Sequence, residues 1–92
     1  MIMYDIDYLD RATRDLLRLR KSEPKSYKKA ATLIEELKKH PQTGTGHPEP
    51  LRGMGANLWS RRISEKHRLV YEIRDTEVIV IVVAAYGHYS DK

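Results

Sequence analysis

Glu49, Arg62, Arg68 and His88 are the residues of this chain whose types could work together as chemistry. A carboxylate and an imidazole exchange protons, and guanidinium groups meet anions with paired donors. Arg68 alternates with Leu69 and Tyr71 in residues 67–74, so it leaves a strand on the side away from them. Arg62 is opposite in parity to Trp59 and Ile63. His88 follows the most apolar run with the parity of Val82, Ala84 and Tyr86, and its facing depends on where that run ends. Glu49 lies in a loop that leads into these strands. Spacing alone does not make an active site of the four, because exposed arginines on a small sheet are common.

Other candidates read as structural. His67 shares the core-side parity of Leu69 and is expected to be a packed or hydrogen-bonding strand residue. His40 and His47 flank a loop with neither cysteine nor a carboxylate cluster near them, so no zinc site is expected. Trp59 has the stacking surface for a base, but its partnership with Ile63 favours a core or protein contact. Gly44 and Gly46 lack the lysine and serine of a phosphate loop and belong to a turn.

The elements that must carry these residues follow from the hydrophobic period. Ile2, Tyr4, Ile6 and Tyr8 alternate with Met3, Asp5 and Asp7 as in a half-buried strand. From Leu9 the period becomes helical through Ala12, Leu16 and Leu19, with Asp10 the expected N-cap and Ser22-Glu23-Pro24 the stop. A second helix begins near Pro24 to Ser26 and runs to about Lys39, with Tyr27, Ala30, Ala31, Ile34 and Leu37 inward. Residues 40–50, rich in Pro, Gly and Thr, read as loop, and Gly53-Met54-Gly55 as a further turn. Three strands follow, over residues 58–64, 67–74 and 78–86. The last is a continuous β-branched run that suits a central strand covered on both faces. The short connections at 64–66 and 75–76 make these three an antiparallel meander. The expected fold is α+β, in the order β-α-α-β-β-β, with an antiparallel twisted sheet. A helical hairpin covers one face and the other face is left for function.

The 92 residues suffice for one domain, 1–92, since a second core would leave neither half enough buried surface. With no cysteine, neither disulfides nor thiolate metal sites contribute. The longest apolar run is too short for a membrane helix, and the acidic start does not resemble a signal peptide, so a cytoplasmic protein without membrane attachment is expected. The formal charge of +4 is concentrated. Arg11, Arg14, Arg18, Arg20, Lys21, Lys25, Lys28 and Lys29 crowd the first third; Arg52, Arg61, Arg62, Lys66, Arg68 and Arg74 form a second group. Such clustering favours a polyanion through counterion release, although solvated helix faces look the same and an acidic protein would be attracted as well.

Four blocks in order carry a resemblance: Pro48-Glu49-Pro50-Leu51-Arg52, Trp59-Ser60-Arg61-Arg62-Ile63, His67-Arg68-Leu69-Val70-Tyr71 and His88-Tyr89. Together they resemble the YoeB/Txe family of the RelE toxin superfamily, most densely from about Gly44 to Tyr89. In the helices only general amphipathic character agrees. The resemblance implies a RelE-like microbial ribonuclease fold. It also implies the toxin of a type II toxin–antitoxin system, an endoribonuclease (mRNA interferase) that cuts messenger RNA in the ribosomal A site without metal or cofactor. Attack by the RNA's own 2′-hydroxyl leaves a 2′,3′-cyclic phosphate and a 5′-hydroxyl. Carried over by position, Glu49 matches the general base, Arg68 the phosphate-binding arginine and His88 the general acid. Arg62 matches a supporting arginine, Tyr89 an aromatic that holds RNA, and Arg52 a position usually held by lysine.

The sequence departs from the family pattern at Gly87, where a larger, commonly aromatic residue is usual, and in Ser90-Asp91-Lys92, which run past the usual ending. A glycine there is expected to loosen the backbone bearing the proposed acid. The implied partners are a cognate YefM/Axe-like antitoxin, the ribosome and its messenger, with promoter DNA bound only through the antitoxin complex; a homodimer is permitted. Two rival readings share the fold: a ParE-like poison of DNA gyrase, which needs no base–acid set, and an inactive binder of RNA or antitoxin.

Overall fold

In a computed structural model, which describes residues 2–53 and 56–88, the chain forms strand β1 (Asp5–Tyr8), helices α1 (Asp10–Ser22) and α2 (Pro24–Leu37), and strands β2 (Glu49–Pro50), β3 (Leu58–Arg62), β4 (Arg68–Arg74) and β5 (Ile79–Ala84). The strands lie in one sheet in the order β1-β5-β4-β3-β2. The meander β3-β4-β5 is antiparallel as expected. The sheet as a whole is mixed, because β1 pairs in parallel with β5, Asp5 opposite Ile79 and Tyr8 opposite Val82. Parallel neighbours require a long crossover, and the helices with three strands between them supply it. A strand at Glu49–Pro50 was not expected from the proline-rich loop. Its proline is tolerated because β2 is an edge strand, where one row of amides needs no partner.

The hairpin α1–α2 covers one face. Ala12 and Leu19 of α1, with Ala30, Leu33, Ile34 and Leu37 of α2, pack on Ile63, Leu69, Tyr71, Ile73, Val80 and Val82. Leu33 takes an inward place expected for Ala31, which is exposed. Leu33 stands three residues after Ala30 and four before Leu37, so it lies on their stripe. The expected N-cap at Asp10 is corrected: Leu9 holds that position without a side-chain bond, and Asp10 sits in the first turn, where its charge still complements the helix dipole. Among the described residues no helix is long and apolar enough to cross a membrane.

Arg61, grouped above with the basic surface, is fully buried. Strand alternation puts it on the helix side with Trp59 and Ile63. Its guanidinium pairs with Glu36 of α2 at 2.8 Å and donates to Tyr71 Oη at 3.1 Å, to the carbonyls of Thr43 at 2.7 Å and Thr45 at 3.3 Å, and to that of His40. Tyr71 Oη in turn donates to the Pro41 carbonyl at 2.7 Å. One cation therefore organises the loop between α2 and β2, and the Arg62 amide bonds the Gly46 carbonyl of that loop at 2.7 Å.

Candidate functional site

The face away from the helices carries the sequence-selected residues. Glu49 stands opposite Ser60, Ser60 opposite Val70, and Arg62 opposite Arg68, so all five side chains leave the sheet on one side. The register brings Glu49 and Arg68 into contact, Arg68 Nη1 lying 3.4 Å from Glu49 Oε1. The Glu49 side chain is 59% exposed and that of Arg68 25%, so the carboxylate is open to solvent while the arginine is largely covered. Arg62 is exposed and has no side-chain partner among the described residues. Two guanidinium groups directly across a strand pair repel one another, and one carboxylate neutralises only half their charge. The arrangement suits a bound anion.

A small apolar cluster of Leu58, Val70, Val83 and Ala84, with Leu51 beside it, underlies this face, which is thus less open than the sequence suggested. A register shift between Val70 and Tyr71 lets β5 contribute both Val83 and Ala84 to the cluster. Ser60 is also buried there, its hydroxyl without a hydrogen-bond partner among the described residues. Ser60 shares the parity of Arg62, but nothing in the sequence marks it as buried.

His88 reaches the same end of the sheet from β5. The Arg68 amide donates to the Gly87 carbonyl at 2.9 Å, so the residue before the imidazole is bonded to the backbone of the phosphate-binding candidate. The exposed ring places Nε2 2.9 Å from the Glu65 carbonyl in the β3–β4 connection. Gly87, expected to loosen this segment, is hydrogen-bonded on both sides. Gly87 has φ +73°, a left-handed conformation that glycine adopts without strain, and its amide donates to His67 Nδ1 at 2.9 Å while its carbonyl accepts from Arg68. The residue before it is anchored too: Tyr86 packs against the main core, and the Ala85 amide donates to Asp15 of α1 at 3.0 Å.

His67 is buried, as its parity indicated, and Trp59 packs against the main core with its indole donating to Asn57 Oδ1 at 3.1 Å. Arg52 is exposed in the turn after β2, on the connection between the strands that carry Glu49 and Arg62. Tyr89 and the segment 90–92 lie outside the described residues. The structure thus gathers Glu49, Arg62 and Arg68 on one surface and ties the backbone of His88 to it. The surface therefore offers a carboxylate beside two cross-strand guanidinium groups, while the His88 imidazole is turned to the Glu65 carbonyl.

The sequence profile of the family described as "YoeB-like toxin of bacterial type II toxin-antitoxin system" matches residues 8–89. A Streptomyces coelicolor protein named Toxin YoeB is 39% identical over 84 residues, covering 91% of this chain and 98% of its own length. Among solved structures, one described as a YoeB/ParE toxin from Agrobacterium tumefaciens aligns with TM-score 0.85 at 30% identity, over 92% of this chain and 99% of that one. A Staphylococcus aureus structure described as a heterotetrameric YoeB–YefM toxin–antitoxin complex aligns with TM-score 0.79 at 28% identity, over 94% and 98%. With the profile spanning nearly the whole chain and the mixed sheet shared, this chain belongs to the YoeB-like toxins of bacterial type II toxin–antitoxin systems.

Proposed function

We propose that the chain is an endoribonuclease that cuts ribosome-bound messenger RNA by transesterification, with Glu49 as base, Arg68 and Arg62 as phosphate clamps and His88 as acid. The observation that carries this reading is the Arg62–Arg68 cross-strand pair beside Glu49, a concentration of positive charge that a phosphate would relieve. In the free chain Glu49 holds Arg68. An incoming phosphate competes for the guanidinium and releases the carboxylate. Glu49 then takes the 2′-hydroxyl proton, the O2′–P bond forms, and the arginines meet the charge on the equatorial oxygens. The P–O5′ bond breaks as His88 gives its proton to the leaving oxygen, which leaves a 2′,3′-cyclic phosphate and a 5′-hydroxyl. Imidazole suits this step because its reference pKa lies near neutrality, at about 6.5. The ring must first leave the Glu65 carbonyl, a rearrangement open to an exposed side chain. Each proton transfer supplies roughly 10²–10⁴-fold in rate.

Arg52, exposed on the connection after β2, would meet a flanking phosphate, and Tyr89 is assigned to holding RNA on the strength of the family pattern. No metal or other cofactor is needed for this scheme. Such a reaction would take place in the cytoplasm, on the ribosome. The partner that silences it is an antitoxin of the YefM kind, named in the Staphylococcus aureus complex, whose acidic side chains would lie over the basic face; promoter binding would belong to the antitoxin.

Mapping messenger 5′ ends after brief induction tests the proposal. The wild type is expected to produce new 5′-hydroxyl ends inside translated regions, and the His88→Ala variant none. Growth arrest with intact messengers and gyrase-dependent DNA breaks would replace the proposal with the gyrase-poison reading.

A further inference from the structure

We infer that His67 is a positioning residue for His88, holding the peptide before the proposed acid through its own Nδ1. The inference rests on the cleavage reading above. His67 immediately precedes β4, next to Arg68, and is 2% exposed, so it touches no RNA. Its Nδ1 lies 2.9 Å from the Gly87 amide, and its Nε2 lies 2.7 Å from Glu23 Oε2. A backbone amide can only donate, so Nδ1 must present its lone pair, and the ring proton must sit on Nε2, where it is donated to Glu23. The tautomer is set by these two partners.

Glu23 is itself fixed. It is the junction between the helices, with its amide bonded to the Leu19 carbonyl at 2.7 Å, its carbonyl accepting from Tyr27 at 3.0 Å, and Pro24 following. The imidazole packs on Tyr86 with ring centroids 4.3 Å apart, and the Arg18 guanidinium lies 3.9 Å from the centre of that same tyrosine ring. A chain of contacts therefore runs from the helix junction through one ring to the amide one residue before His88. Together with the Arg68 amide on the Gly87 carbonyl, it fixes both sides of a residue whose glycine backbone would otherwise swing freely.

Two substitutions separate positioning from packing. In His67→Asn, Oδ1 stands near the place of Nδ1 and can still accept from Gly87, while the bond to Glu23 is lost. In His67→Gln, the amide group stands near the place of Nε2, keeping the tie to Glu23 and losing the acceptor for Gly87. Packing alone would make asparagine, the smaller residue, the worse replacement. Positioning predicts the reverse for cleavage of ribosome-bound messenger. His67→Gln is expected to lose roughly 10²-fold in kcat, the scale of a misplaced catalytic group, with KM nearly unchanged, and His67→Asn to stay close to wild type. In nitrogen-resolved spectra the Gly87 amide proton should move in the glutamine variant and hold in the asparagine variant. The wild-type His67 ring should show the neutral form protonated on Nε2, a reading that needs no variant to fold.

Equal losses in both variants, a larger loss in asparagine, or a wild-type ring protonated on Nδ1 would overturn the positioning role while leaving the cleavage reading intact. A wild-type chain that leaves ribosome-bound messenger uncut would overturn the cleavage reading and this inference with it.

Discussion

Replacing Arg61 with methionine keeps most of the buried stem and removes the guanidinium, which makes the Arg61 side chain a direct measure of what holds the loop before Glu49. The change deletes the 2.8 Å pair with Glu36, the bond to Tyr71 Oη and the donors to three loop carbonyls. Removing one member of a buried ion pair costs about 3–5 kcal/mol, because the partner and its acceptors are left without compensation. The Glu36 side chain is 29% exposed and the carbonyls belong to a surface loop, so water can reach them once the loop opens. The lower end of that range, about 3 kcal/mol, is therefore expected. For a domain of this size that corresponds to a fall of roughly 12–24 °C in Tm. Urea and thermal unfolding of Arg61→Met, made in a His88→Ala background so that the protein can be expressed, provide the assay. Arg61→Lys should recover only part of the loss, since an ammonium can keep the charge but not the planar spread of donors. A loss in Arg61→Met of less than about 1 kcal/mol, the scale of an exposed pair, would refute the claim that this guanidinium organises the loop.

Tyr71→Phe leaves the Pro41 carbonyl and Arg61 Nε without their shared partner and should cost about 1–3 kcal/mol in urea unfolding. Ser60→Ala removes a buried hydroxyl that has no partner among the described residues and should leave stability equal or slightly raised; a clear loss would mean that the hydroxyl is bonded in solution. The Glu36 carboxyl is held below its ordinary value of 4.5, chiefly by hydrogen bonding to Thr45 with Arg61 adding to it, against the opposing effect of burial. Because the folded form holds this proton more weakly than the unfolded chain, the stabilisation is complete above about pH 4.5 and is lost as pH falls through the depressed folded value. Glu36→Gln should flatten the acid limb of the stability curve, and an unchanged limb would contradict this assignment.

Most of the strand architecture was legible because alternation in residues 67–74 and the β-branched run after it admit few other readings. The direction of β1 was not. Four residues with a polar side every second position pair equally well either way, and only the long crossover decides it. The strand at Glu49–Pro50 was hidden by its proline, which signals loop until the strand is known to lie at an edge. The same alternation that correctly turned Arg62 and Arg68 outward also turned Arg61 inward, yet its charge argued for the surface. A buried arginine becomes readable only when its acceptors, drawn from a loop up to 21 residues distant in the chain, are known. His67 was readable as a packed residue, but its bond to Gly87 joins strands through a tertiary contact that no local pattern carries.

Single-turnover cutting of ribosome-bound messenger by the wild type, Glu49→Gln, Arg68→Ala, His88→Ala and the Glu49→Gln/His88→Ala pair probes the gathered site most directly. If the three groups act on one phosphate, each single change should slow cutting by roughly 10²-fold or more without unfolding the chain, and the pair should lose far less than the product of its two members. Wild-type rates in all three single variants would show that the carboxylate, the guanidinium and the imidazole do not share a reaction.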